Sequence, residues 1–129
     1  MQAKGTFEVQ MRPEPPSSTE DGVVVGRARL DKQFAGDLVG ASQGEMLSAR
    51  GPVATSAGYV AIERVAGALG GKRGSFVLQH NGVMDRGAAS LSCTVVPDSA
   101  TGELAGLRGT LAIEIVDKQH RYAFDYELT

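Results

Sequence analysis

Gly58 to Met84, GYVAIERVAGALGGKRGSFVLQHNGVM, carries the strongest fold signal in the chain. Gly70-Gly71-Lys72-Arg73 divides it into two apolar runs. The first also admits a helical reading, because Ile62, Val65, Ala66 and Leu69 fit one stripe closed by a glycine. Strand-and-turn punctuation on both sides favours two strands and a hairpin. A two-residue loop at Gly71-Lys72 pairs Gly70 with Arg73 and sets Glu63 directly opposite His80. Tyr59, Ala61, Val65, Phe76, Leu78 and Met84 share their face, which is the apolar, inward one. Val60, Ile62, Arg64, Gln79 and Asn81 fall on the reverse, exterior face.

Outward from this hairpin the same pattern repeats, giving eight expected strands in an all-β, antiparallel barrel. Lys4 to Met11 comes first, followed by PEPPSSTEDG (Pro13 to Gly22), read as a loop that no strand crosses. Val23 to Phe34 and Leu38 to Ala49 flank Ala35-Gly36-Asp37, and Ser42 to Gly51 shares the helical ambiguity. Gly58 to Leu69, Ser75 to Met84 and Ala88 to Val96 follow. PDSATGELAGLRG (Pro97 to Gly109) is a connection with room for one helical turn. Thr110 to Asp117 and Arg121 to Leu128 form the last hairpin. A Lys118-Gln119 loop there pairs Asp117 with His120 and Ile115 with Tyr122, making one face wholly apolar. The 17 glycines of the 129 residues fall at turns and at strand positions suited to bending. Gly82, two residues from His80, is expected to leave space for a ligand.

Composition narrows the function. Thirteen Lys and Arg against fifteen Asp and Glu, without clustering, give no nucleic-acid footprint. No apolar run approaches the roughly 20 residues of a membrane-spanning helix, and the start MQAKGTFEVQMR has no signal-peptide pattern. The chain is expected to be a single soluble, cytoplasmic domain. One cysteine and two well-separated histidines supply no metal-ligand spacing, so neither metal nor other cofactor is expected.

Glu63 and His80 are the candidate catalytic residues, since a carboxylate ~4–6 Å from an imidazole, both withdrawn from water, exchanges protons readily. The same pair also reads as a mutually satisfied polar contact with no substrate. Tyr59, Phe76, Leu78 and Cys93 are the candidate ligand-lining residues; Cys93 reads otherwise as a small buried apolar group. His120 is expected to be solvated in a turn. Gly40-Ala41-Ser42-Gln43-Gly44 matches GxSxG without the strand-turn-helix that a nucleophile elbow requires. Ala66 to Arg73 lacks the first glycine and final hydroxyl of a phosphate loop.

Phe34-Ala35-Gly36-Asp37-Leu38, Ile62-Glu63-Arg64-Val65, Gly74-Ser75-Phe76-Val77-Leu78-Gln79-His80 and Thr101 to Gly109 (TGELAGLRG) carry a resemblance that covers nearly the whole chain. It closely resembles a bacterial domain-of-unknown-function family whose members look like the allene oxide cyclase barrel. The GELAGLRG turn is similar to the G-x-F-x-G-x-x-G turn of allene oxide cyclases and dirigent proteins. The resemblance implies an eight-stranded antiparallel barrel, often a homo-oligomer, with a mostly apolar cavity for small lipophilic molecules. The glutamate of the plant cyclases matches no position here by motif, so no catalytic residue carries over. The expectation is a binder of a small lipophilic ligand. Its alternatives are an isomerase or cyclase using Glu63 and His80, and a ligand-free barrel acting through its surface.

Overall fold

The computed structural model describes residues 1–128. Its strands are β1 (Gln2–Ser18), β2 (Val24–Gly36), β3 (Leu38–Arg50), β4 (Ala57–Leu69), β5 (Lys72–Asp85), β6 (Ala88–Val95), β7 (Arg108–Val116) and β8 (Gln119–Glu127). Each pairs antiparallel with the next, and β1 pairs with β8, which closes the barrel. Both segments with helical ambiguity are strands.

Following partners around the wall from Thr110 shows how the barrel is sheared. Through Thr94, Gln79, Ile62, Glu45 and Arg29 the path reaches β1 at Arg12, whereas through Asp125 it reaches β1 at Gln2. That offset tilts the strands by roughly 40° and leaves an interior just wide enough for side chains or one small ligand.

Three expectations need correction. First, β1 runs through Pro13, Pro15 and Pro16 to Ser18. Beyond Phe7 it has no partner on the β8 side, and its pairing to β2 breaks register between Glu14 and Ser18. The prolines therefore lie on an edge, where a missing N–H costs no ladder bond.

Second, both hairpin registers differ from expectation by two residues. The β4–β5 loop is Gly70-Gly71, so Ala61 faces His80 and Glu63 faces Leu78. The β7–β8 loop is Asp117-Lys118, so Ile115 faces His120 and Ile113 faces Tyr122. In both loops the two central residues occupy the left-handed region, as this tight turn requires. A two-residue shift leaves every side chain on its expected face.

Third, His120 is a half-buried strand residue whose ring centroid lies 5.0 Å from that of Phe7.

The two ends of the barrel differ. At one, the Gly36-Asp37 and Gly70-Gly71 turns meet the start of β1 and the end of β8, and Asp37 accepts from the Gly70 and Lys4 amides. The β6–β7 connection, with a 3-10 turn at Gly102–Leu104, folds over this end and buries Leu104 and Leu107. Phe34, Leu38, Val65, Leu69, Phe76, Leu78 and Phe124 pack beneath it as the core. At the other end β1 to β5 rise above the shorter β6 to β8, and inward-facing side chains meet solvent.

Candidate functional site

Five consecutive strands each contribute one inward residue to a polar cluster between core and open end. These are Lys32 on β2, Ser42 on β3, Glu63 on β4, His80 on β5 and Cys93 on β6. Lys32 is opposite Ser42, and His80 is opposite Cys93. Glu63 lies diagonally from both Ser42 and His80, and its direct partner on β3 is Gly44. A Cβ on Gly44 would come within 3.2 Å of the Glu63 Cβ, so the glycine makes room for the glutamate.

Glu63 is wholly buried, and both carboxylate oxygens are used. Oε1 accepts from Lys32 Nζ at 3.0 Å and from His80 Nε2 at 2.7 Å, and Oε2 accepts from the Ser42 hydroxyl. Burial alone would raise its pKa, but the His80 hydrogen bond, the Lys32 charge and the Ser42 hydroxyl outweigh that and hold it at about 2. Lys32 also places its ammonium 4.8 Å from the centre of the Phe7 ring. The cluster thus contains a satisfied buried ion pair, and every fully enclosed side-chain nitrogen or oxygen among the described residues has a partner.

The expected face-sharing of Glu63 and His80 therefore produces direct contact, by a diagonal rather than an opposed arrangement. Cys93 is there too, with Sγ 3.6 Å from His80 Nε2. Burial pushes its thiol up to about 12, which makes it a poor nucleophile. Tyr59 is half-buried on the open side, its ring centroid 6.4 Å from that of His80. Phe76 and Leu78 belong to the packed core, with Phe76 stacked on Phe124 at 5.9 Å. Gly82 leaves no space for a ligand, because the Tyr59 ring fills it: a Cβ there would lie 2.3 Å from a ring carbon. The GxSxG segment is mid-strand, with Ser42 turned to Glu63.

Sequence reasoning missed Lys32 and Ser42. Parity along β2 was the available signal, since Lys32 alternates inward with Ala28, Leu30 and Phe34.

Above the cluster, inward-facing Met11, Leu91 and Ile115 are 54%, 41% and 63% exposed. Tyr59, Met46 and Met84 are only half-buried around them. The wall is thinnest between β6 and β7, whose ladder consists of the single pair Thr94–Thr110. A concavity of about 570 Å³ lies across the wall, with Ala28, Met46, Ala61 and His80 from inward-facing positions among its lining. It crosses β2 to β5 between outward side chains that include Arg27, Leu47, Val60, Asn81, Glu45 and Ile62.

Among the described residues no group of three or more His, Cys, Asp and Glu side chains is placed to hold a metal ion. No helix there is long and apolar enough to cross a membrane.

Fold and cluster together define a closed, eight-stranded antiparallel barrel, packed at one end and open at the other, with a buried ion pair between. The chain belongs to the DUF3224 family, described as proteins of unknown function, whose model matches residues 3–126. It is similar to the crystal structure of a DUF3224-family protein of unknown function from Shewanella oneidensis MR-1. Identity is 51%, the match covers 100% of this chain and 97% of that one, and the TM-score is 0.96. No curated protein matches.

Proposed function

We propose that this barrel binds a small, largely apolar molecule in its open end, above the Lys32–Glu63–His80 layer. The observation that carries the reading is the exposure of apolar side chains on inward-facing strand positions, Met11, Leu91 and Ile115, in a barrel whose other end is fully packed. Inward apolar side chains left in water favour an occupant that removes them from it. Methionines at 11, 46 and 84 give the rim adaptable, polarizable surface. The contacts from Lys32, Ser42 and His80 hold Glu63 at about 2, so it stays an ionised acceptor braced from three neighbouring strands. The cluster therefore serves as the floor of a binding site.

A thermal-shift screen with lipophilic acids, oxylipins and aromatic metabolites tests this. A ligand at 100 times its Kd adds about 2.7 kcal/mol, enough to raise Tm by several degrees. The Leu91→Trp, Ile115→Trp double variant, which fills the mouth, should lose that shift. A screen in which no compound moves Tm, or in which the double variant responds equally, refutes the reading.

The outer groove favours a second reading, in which the barrel acts through its surface. Leu47 and Val60 are cross-strand partners, and with Ile62 and Val83 they are each about half exposed on the outer face. The occupant we propose is a second copy of the chain. Sedimentation velocity should show an oligomer that Val60→Lys converts to monomer, whereas a monomeric wild type removes this reading.

A further inference from the structure

We propose that Nδ1 of His80 is the atom by which the open end recognises its ligand, which is an apolar molecule carrying one hydrogen-bond-donating group, an alcohol or phenol hydroxyl. This rests on the open end being a binding site and supplies the polar half of what it binds.

The tautomer follows from the contacts. An ionised carboxylate only accepts, so Nε2, at 2.7 Å from Glu63 Oε1, must carry the proton. In the neutral ring the lone pair is then on Nδ1. Lys32 and Ser42 brace the same carboxylate from β2 and β3, which keeps it an acceptor toward Nε2. Among the described residues Nδ1 has no hydrogen-bond partner. Every fully enclosed side-chain nitrogen or oxygen among the described residues has one, so Nδ1 is not fully enclosed.

None of the neighbours supplies the missing donor. Lys32 and Ser42 are committed to Glu63, the Cys93 thiol lies against Nε2, and Tyr59 presents its ring to the imidazole at 6.4 Å between centroids. His80 as a residue is 3% exposed. A bound apolar molecule without a donor would strip Nδ1 of its remaining access to water and leave an unpaired acceptor, whereas a hydroxyl would pair with it.

The test has two arms. Long-range proton–nitrogen correlation spectra of the wild-type protein at neutral pH read the tautomer directly, with Nε2 expected protonated and Nδ1 bare. Binding is then compared for a naphthol and for the methylnaphthalene of the same shape. Wild type should prefer the naphthol by about tenfold or more, its binding should shift the Nδ1 resonance, and His80→Phe should bring the ratio near one while still binding methylnaphthalene. A proton on Nδ1, or equal wild-type affinity for the two probes, overturns the inference and leaves the binding site standing. Failure of both probes to bind wild type overturns the binding-site reading and this inference with it. The wild-type spectra and affinities decide the matter even if His80→Phe does not fold.

Discussion

Replacing Glu63 by Gln removes the carboxylate and leaves the Lys32 ammonium, 7% exposed, without its ion-pair partner. The magnitude follows from the carboxyl's shift from 4.5 to about 2. At about 1.36 kcal/mol per pH unit this is roughly 3 kcal/mol of stability at neutral pH, the low end of what breaking a buried pair costs. The unfolded chain takes up the proton near 4.5, while the native state refuses it until about 2. Stability from this group is therefore complete above about pH 5 and lost as pH falls toward 2. Urea unfolding of wild type and Glu63→Gln between pH 7 and pH 2 should show a gap of about 3 kcal/mol that closes over that window. Adding Lys32→Met to Glu63→Gln should recover at least half of the loss, because it removes the unpaired ammonium. A gap that stays constant from pH 7 to pH 3, or a double variant no more stable than the single one, would refute the account of the cluster.

Other parts of the barrel can be tested in the same way. Tyr122→Phe removes the hydroxyl that accepts from the Leu38 amide and donates to the Ala35 carbonyl, each at 2.9 Å; it should cost about 1–3 kcal/mol in urea unfolding. Gly67→Ala would bring a Cβ within 2.2 Å of the Val39 carbonyl oxygen, and should destabilise by at least about 2 kcal/mol in the same assay. Native Cys93, with its thiol at about 12 rather than 9, should react with a disulfide reagent at pH 8 at least about a hundredfold more slowly than after unfolding. Amides of residues 88–92 and 112–116, flanking the seam held by Thr94–Thr110, should exchange hydrogen faster than those of β3 and β4.

The hairpin loops show how much local sequence can carry. Only a residue that tolerates left-handed backbone suits both central positions of such a turn, so Gly70-Gly71 was the better candidate than Gly71-Lys72 on conformational grounds alone. Asp117-Lys118 gave no comparable glycine signal, and the pairing of Ile115 with His120 had to come from the assembled sheet. The proline segment misled for the opposite reason. Its residues are hostile to a central strand, but whether a position is central or on an edge depends on where β8 stops.

The all-β class, the strand order along the chain and the face of most strand side chains are legible in the sequence, because a period of two is a local property of extended backbone. That is why Glu63 and His80 share one inward face under either hairpin register. Closure of the sheet is what brings Lys32 and Ser42 to them, joins β6 to β7 by the single pair Thr94–Thr110, and packs Phe76 and Leu78 into the closed end while leaving Met11, Leu91 and Ile115 exposed. Those outcomes depend on how eight strands are sheared against one another when the sheet closes, a relation among distant segments that no local pattern encodes.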